Sequence, residues 1–262
     1  MQRLSLTSAE IALLMAALPA DPRPFIGDSD LVNVDSTVLY RRMEAAREGV
    51  LARRLATVRE DNSLELAAPV RAMLLALIQP RSGFQLMHAW AGQPAQRAMF
   101  SIGLELTVVD RVDEGRWHHL EVLAGPDQIA ARAAEIVRAS ALPSANGSAD
   151  SAFALPGSIF APLAEMPPRA DIELVALLTA AGVNGPEAEA FLAAGTRPLH
   201  QTVFYSLSMD QGAPKSEAAV WFGTPKSSWL LDAATAKTVR LRRATAATVR
   251  QALGEIVAHA AP

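Results

Sequence analysis

The chain has 262 residues, of which 50% are hydrophobic and 19% are charged, and its formal net charge is -3. This composition is too apolar for a disordered chain, and the length is sufficient for one large domain or two modest ones. The slight negative charge argues against a dedicated nucleic-acid-binding protein, which usually carries a basic excess. Because the chain contains no cysteine, disulfides, thiolate metal sites and cysteine nucleophiles are excluded, and this absence fits a reducing cytosol.

The N-terminal third is predicted to be helical, with one small hairpin. Apolar residues at helical spacing predict helices over residues 6–18 and 36–48, with a proline-rich loop between them. The polar turn at residues 59–63 lies between the short runs LATV and LELA, which predicts a β-hairpin. A third helix is expected over residues 69–78, with a proline in its first turn and another after its end.

A block of strands and a closing helix follow. Residues 84–123 contain the runs FQLMHAWAG, AMFSIGLELTVVD and GRWHHLEVL, with turn residues near 92–94 and 113–115. Residues 126–139 place apolar side chains on one face and predict an amphipathic helix. The order of this first half is therefore helical lead-in, strands, closing helix.

The second half repeats that order. Helices are predicted over residues 171–181 and 186–194, and strand runs HQTVFYSLSM, SEAAVWFG and SSWLLDAAT occur between about residues 199 and 241. An amphipathic helix over residues 245–259 closes the chain. All four tryptophans fall in predicted strands, where they are expected to be core or half-buried, and one that faced outward would be a natural partner anchor.

The repeated unit predicts the fold class. Residues 142–151, LPSANGSADS, are small and polar and contain Pro and Gly, as expected of a linker. We predict an α+β fold of two pseudo-symmetric halves, residues 1–141 and 152–262, each with a helical lead-in, an antiparallel sheet and a closing helix. The two halves could also form one compact pseudo-two-fold domain.

Several residues could act as metal ligands or as a nucleophile, but the additional residues that such sites require do not accompany them. His119 and Glu121 are predicted to share one face of a strand beside His118 and could begin a metal site, but zinc needs three or four ligands and nothing nearby completes the set. An outward polar stripe is the favoured interpretation. Ser158 lacks the second glycine of a nucleophile elbow, and no glycine-rich phosphate loop is present. We predict no catalytic residue, no cofactor and no metal site.

The N-terminal third also suggests an alternative function. The second helix and the following hairpin could act as the recognition helix and wing of a DNA-binding regulator led by Arg41 and Arg42. Further arginines that could contact phosphates are Arg47, Arg53 and Arg54. Nearby glutamates offset much of this charge, so a solvated helix face is favoured and nucleic-acid binding is not expected. No stretch has the length and apolarity of a membrane span.

The order of elements resembles the EspG family of chaperones of ESX (type VII) secretion systems. In the first half, residues 47–92 resemble the family's small hairpin, helix and first long strand, and residues 97–123 resemble its strand pair. In the second half, FALPGSIFAPLAEM resembles the opening segment and residues 171–198 resemble the helix pair. WLLDAAT and VRLRRATAATVRQALGEIV resemble the last strands and the terminal helix.

The resemblance implies a cytosolic, non-enzymatic chaperone with a quasi-two-fold fold. Such proteins cover the hydrophobic tip of helical secreted substrates, here expected to be of the PE–PPE or WXG100-like class. In the family, the long strand pair of the first half carries an extended loop that contributes to substrate contact, whereas the matching turn here is only AGQPAQR, residues 91–97. The candidate partner contacts are Gln93, Pro94, Gln96 and Arg97 in this turn, with Trp229 and the 245–259 helix of the second half.

Overall fold

The computed structural model describes residues 3–19, 34–113, 117–142, 152–156, 171–196, 198–210, 213–224, 227–235 and 238–260. The elements of the first half are β1 (Arg3–Thr7), α1 (Ser8–Ala16), α2 (Ser36–Ala52), β2 (Ala56–Val58), β3 (Leu64–Leu66), α3 (Ala68–Ile78), β4 (Ser82–Trp90), β5 (Gln96–Ile102), β6 (Thr107–Asp113), β7 (Trp117–Leu123) and α4 (Pro126–Ile136). Those of the second half are β8 (Ala152–Pro156), α5 (Asp171–Ala180), α6 (Gly185–Thr196), β9 (His200–Asp210), β10 (Ala213–Thr224), β11 (Ser227–Thr235), β12 (Thr238–Arg243) and α7 (Ala246–Ala260).

Ten of the strands form one antiparallel sheet. Its order is β1-β7-β6-β5-β4-β9-β10-β11-β12-β8, so each half contributes five strands and places its own opening strand at an outer edge. The halves meet at β4 and β9, which pair from Ser82 opposite Ser208 to Trp90 opposite His200. The predicted α+β class with two pseudo-symmetric halves is confirmed. The boundaries of those halves stay a prediction, since most of the linker lies outside the described residues.

The local signals that begin the helices and the hairpin are visible in the structure. Thr7 and Glu10 form a capping box at the start of α1, in which each side chain accepts from the other residue's backbone N–H. Asp35 accepts from the backbone of Thr37 and so caps α2. The predicted hairpin is present as β2 and β3.

The two edge strands were not predicted. In β1, Leu4 and Leu6 point into the core, but a five-residue strand that runs directly into a helix leaves little pattern of its own. Its strand character depends on pairing with β7, more than a hundred residues away. The predicted first helix consequently begins at Ser8 and not at residue 6. In the same way, β8 is defined by pairing with β12.

Helices cover the two faces of the sheet differently. On one face, α4 and α7 pack side by side over a core that includes Phe84, Phe100, Phe204 and Trp221. On the opposite face, α1 and α3 cover the first-half end of the sheet. On that same face, α5 and α6 cover the second-half end of the sheet. The middle of that face lies between the two helical groups.

Candidate partner-binding surface

On the face opposite α4 and α7, the central strands carry a surface that none of the described helices covers. Successive side chains of a strand point to opposite faces, so the residues between the buried Phe84, Leu86 and His88 of β4 face the other way. We call this surface the open strip. Its members are Gln85, Met87 and Ala89 on β4, Arg97 and Met99 on β5, Gln201, Val203 and Tyr205 on β9, and Ala218 and Val220 on β10.

The open strip is largely apolar and accessible. Met87 is 50% exposed and Tyr205 is 45% exposed, values that are unusual for large apolar side chains at the centre of a ten-stranded sheet. Cross-strand pairing makes the strip continuous, because Met87 lies opposite both Arg97 and Val203. Arg97 is its only charged residue, and its buried Nε has no hydrogen-bond partner among the described residues.

The predicted turn contacts lie at one end of this strip. Gln93 and Pro94 are exposed in the connection from β4 to β5, Gln96 is exposed as the first residue of β5, and Arg97 is half-buried. The turn is tight, since the backbone N–H of Gln93 donates to the carbonyl of Trp90 at 2.9 Å and Gly92 has a φ of 75°. Gln93, Pro94 and Arg97 are therefore available to a partner that also contacts the open strip, whereas Gln96 lies opposite His88 and faces the other side of the sheet.

Trp229, the fifth predicted contact, is a core residue. It lies on the same face of the sheet as the open strip, but α6 covers it and its exposure is 0%. Its ring packs edge-on against Phe191 of α6, and the Arg243 guanidinium lies 3.9 Å from its centre. We therefore remove Trp229 from the candidate surface. The closing helix α7 lies on the face of the sheet opposite the open strip, so we remove it from the candidate surface as well.

Comparison with known proteins identifies the fold. No family model and no curated protein matches the chain. Among solved structures, EspG5, a type VII secretion system chaperone of Mycobacterium tuberculosis determined in complex with a PE25–PPE41 dimer, matches with a TM-score of 0.70. The match covers 99% of this chain and 97% of that one, at 14% sequence identity. This chain has an EspG-like fold. At that identity the match shows the fold alone.

The histidines considered as metal ligands have structural partners in this EspG-like fold. His118 is buried and its Nδ1 lies 2.8 Å from Asp110 Oδ2. His119 points to the other face, where it contacts Ser5 and Asp113. Glu121 pairs with Arg3 and Arg132, each at 2.8 Å. Among the residues that the structure describes, no group of three or more His, Asp or Glu is placed to hold a metal ion.

Two of the arginines named for the DNA-binding alternative have side-chain partners within the fold. Arg47 donates to Asn62 at the tip of the hairpin, and Arg53 pairs with the buried Glu10 at 2.5 Å. Arg41 and Arg42 are exposed on α2. No observation favours a nucleic-acid interface over a solvated helix face here. Within the described parts of the chain, no helix has both the length and the apolarity to span a membrane.

Two buried histidines lie beneath α4 and α7, near the junction of the halves. His88 Nδ1 is 2.7 Å from Thr202 Oγ1, and His200 Nε2 is 3.0 Å from Ser228 Oγ. Because the Ser228 hydroxyl donates to the carbonyl of Thr224, it accepts from His200 Nε2–H. Burial, with the nearby charges of His200 and Arg138, lowers the pKa of His88 to about 4. Burial also lowers the pKa of His200.

These lowered pKa values predict acid destabilisation of the fold. In the unfolded chain a histidine has a pKa of about 6.5, so the unfolded state takes up protons first as the pH falls. The stability that neutral His88 contributes is therefore complete above about pH 6.5 and is lost progressively toward pH 4. Each pH unit in this window should remove up to about 1.4 kcal/mol through His88.

Urea unfolding at a series of pH values would measure this effect. His88→Gln keeps a hydrogen-bonding group opposite Thr202 but removes the titrating ring, so its free energy of unfolding should depend less steeply on pH between 6.5 and 4 than that of the wild type. Parallel pH profiles for the two proteins would contradict the assignment.

Proposed function

We propose that this protein is a non-enzymatic chaperone or adaptor that binds a helical secreted protein of the PE–PPE or WXG100-like class. The open strip is the observation that carries this proposal. The EspG-like fold supports it, because the matching solved structure is a secretion chaperone in complex with a PE25–PPE41 dimer. No catalysis is required of any residue in this function, and we place the protein in the cytoplasm, where such a partner would need protection before export.

The shape of the surface suits the tip of a helical bundle. A sheet is a broad apolar platform, and the two helical groups on the same face, α1–α3 and α5–α6, stand on either side of the open strip. Exposed apolar patches on a helical protein aggregate unless they are covered. Met87 and Tyr205 offer apolar contact area, and methionine adapts to partners of varied shape.

The border of the strip supplies polar contacts. Arg97 lies opposite Met87, and its guanidinium is the charge within the strip, so we expect a carboxylate of the partner to pair with it. Gln93 and Pro94 extend the surface at the turn. Because this turn is short, we propose that the sheet contributes most of the apolar contact and the turn contributes the rim.

Charged substitutions in the open strip are expected to weaken partner binding strongly without unfolding the protein. Met87→Glu and Tyr205→Glu each place a carboxylate in the apolar contact area, and loss of a central contact should weaken binding about tenfold or more. The affinity of each variant for PE–PPE-type proteins encoded in the same genome would be measured by calorimetry. Circular dichroism would confirm that each variant is folded.

The chain offers a matched control for the tyrosine variant. Its other tyrosine, Tyr40, is 63% exposed on α2, a helix whose main contacts are with α1 and β2 and not with the central strands. Tyr40→Glu should bind the partner as the wild type does. If Tyr205→Glu and Met87→Glu also bind as the wild type does, the open strip is not the binding surface.

A further inference from the structure

In the second half, a hairpin next to the sheet edge neutralises its own arginines. Asp232 of β11 accepts from Arg240 of β12 at 2.8 Å and from Arg242 of the same strand at 2.6 Å. Glu255 of α7 lies 3.7 Å from Arg240 and 3.9 Å from Arg242. Two carboxylates therefore face two guanidinium groups beneath the closing helix.

The corresponding hairpin of the first half has the charges exchanged. Strands β6 and β7 occupy the same place in the sheet order as β11 and β12. Arg111 lies opposite His119, as Asp232 lies opposite Arg240. Two residues further along β7, Glu121 takes the place that Arg242 has on β12. Where the second half has a carboxylate, the first half has the guanidinium of Arg111.

Arg111 occupies in the first half the position that Asp232 has in the second, so the first half lacks that carboxylate. Glu121 already pairs with Arg3 and Arg132, and Asp113 contacts His119. Arg111 itself has neither an ion-pair partner nor a side-chain hydrogen bond among the described residues. It borders a pocket of about 230 Å³ that is also lined by Arg3, Ser5, His119, Glu121 and Arg132. The lining thus holds three guanidinium groups and one carboxylate.

We propose that this pocket binds a small oxyanion, either phosphate or a carboxylate, which the Arg111 guanidinium holds. The planar fork of arginine matches two oxygens of a carboxylate or phosphate group at once. The anion would supply to the first half the negative charge that Asp232 supplies to the second. Ser5 and His119, whose side chains contact each other at 2.9 Å, form the wall on the edge-strand side. This site lies on the face of the sheet opposite the open strip, so it does not depend on the partner proposed above.

The full chain, labelled with ¹⁵N, would be titrated with inorganic phosphate and separately with acetate, at an ionic strength held constant with chloride. Saturable shifts of the Ser5, Arg111 and His119 resonances are expected with at least one anion. Stronger binding of phosphate would assign the site to a free phosphate group, and equal or stronger binding of acetate would assign it to a carboxylate. Arg111→Gln should weaken binding about tenfold or more, because a charged hydrogen-bonding group is lost.

Two further variants keep the test decisive. Ser5→Asp places a carboxylate within the pocket wall on an exposed strand position and should abolish anion binding in a folded protein. Arg41→Gln removes an exposed arginine of α2 and should leave binding unchanged. The proposal is overturned if neither anion gives saturable shifts, or if Arg111→Gln and Ser5→Asp bind as the wild type does.

Discussion

Trp229→Ala is expected to lower the free energy of unfolding by about 3 to 5 kcal/mol, the usual cost of removing a fully buried large aromatic side chain. The indole has an exposure of 0%, packs edge-on against Phe191, and lies 3.9 Å beneath the Arg243 guanidinium. Its Nε1–H also donates to Ser227 Oγ at 3.1 Å. The substitution therefore leaves a cavity between α6 and the sheet and removes the partner of a half-buried cation. Urea unfolding followed by circular dichroism would measure the loss.

The same substitution at Trp117 provides the comparison. Trp117 is 47% exposed at the start of β7, so Trp117→Ala should cost no more than about 1 kcal/mol. A loss at Trp229 as small as that at Trp117 would show that the indole is not a core residue, and Trp229 would return to the candidate partner surface.

The four tryptophans show what alternation in a sequence can and cannot predict. All four were predicted in strands, and they lie in β4, β7, β10 and β11. Their exposure was not predictable, because alternation assigns a side chain to one face of the sheet and does not reveal what covers that face. Trp229 shares its face with the exposed Met87 and Tyr205 and is buried only because α6 packs over it.

The sequence predicted the parts of the fold that have strong local signals. The closing helices α4 and α7, the β2–β3 hairpin and the repeated strand blocks each carry periodicity or turn residues within a short window. The edge strands β1 and β8 have five residues each, and their strand character comes from pairing with β7 and β12.

The open strip could not be predicted for a related reason. It joins Met87 and Tyr205 through the pairing of β4 with β9, and these strands belong to different halves of the chain. The turn residues Gln93, Pro94, Gln96 and Arg97 were named from the family resemblance, because they lie in the one local segment that matches the family's loop. Residues brought together by long-range strand pairing leave no comparable signal in a single sequence.

Gly223→Ala is expected to cost about 3 kcal/mol, at the upper end of the range for overpacking. A Cβ at this position would lie 2.3 Å from the Ser227 carbonyl oxygen and 2.5 Å from Ser228 Cα, and both are backbone atoms that cannot rotate away. Gly223 lies between His200 and Ser228 in the cross-strand pairing, and the His200–Ser228 hydrogen bond passes over it. The added methyl group should therefore separate β10 from β11 and break that bond. The resulting loss of stability would be measured as a lower Tm in thermal unfolding and a lower free energy of unfolding in urea.

Gly254→Ala separates this steric effect from the general effect of replacing glycine. Gly254 lies within α7, where an added Cβ meets nothing within 4 Å, so the substitution should stabilise the protein by up to about 1 kcal/mol through helix propensity. Opposite signs for the two variants are the expected result. If Gly223→Ala is as well tolerated as Gly254→Ala, then β10 and β11 do not approach as closely as described. In that case Gly223 is not the reason that His200 can reach Ser228 across the sheet.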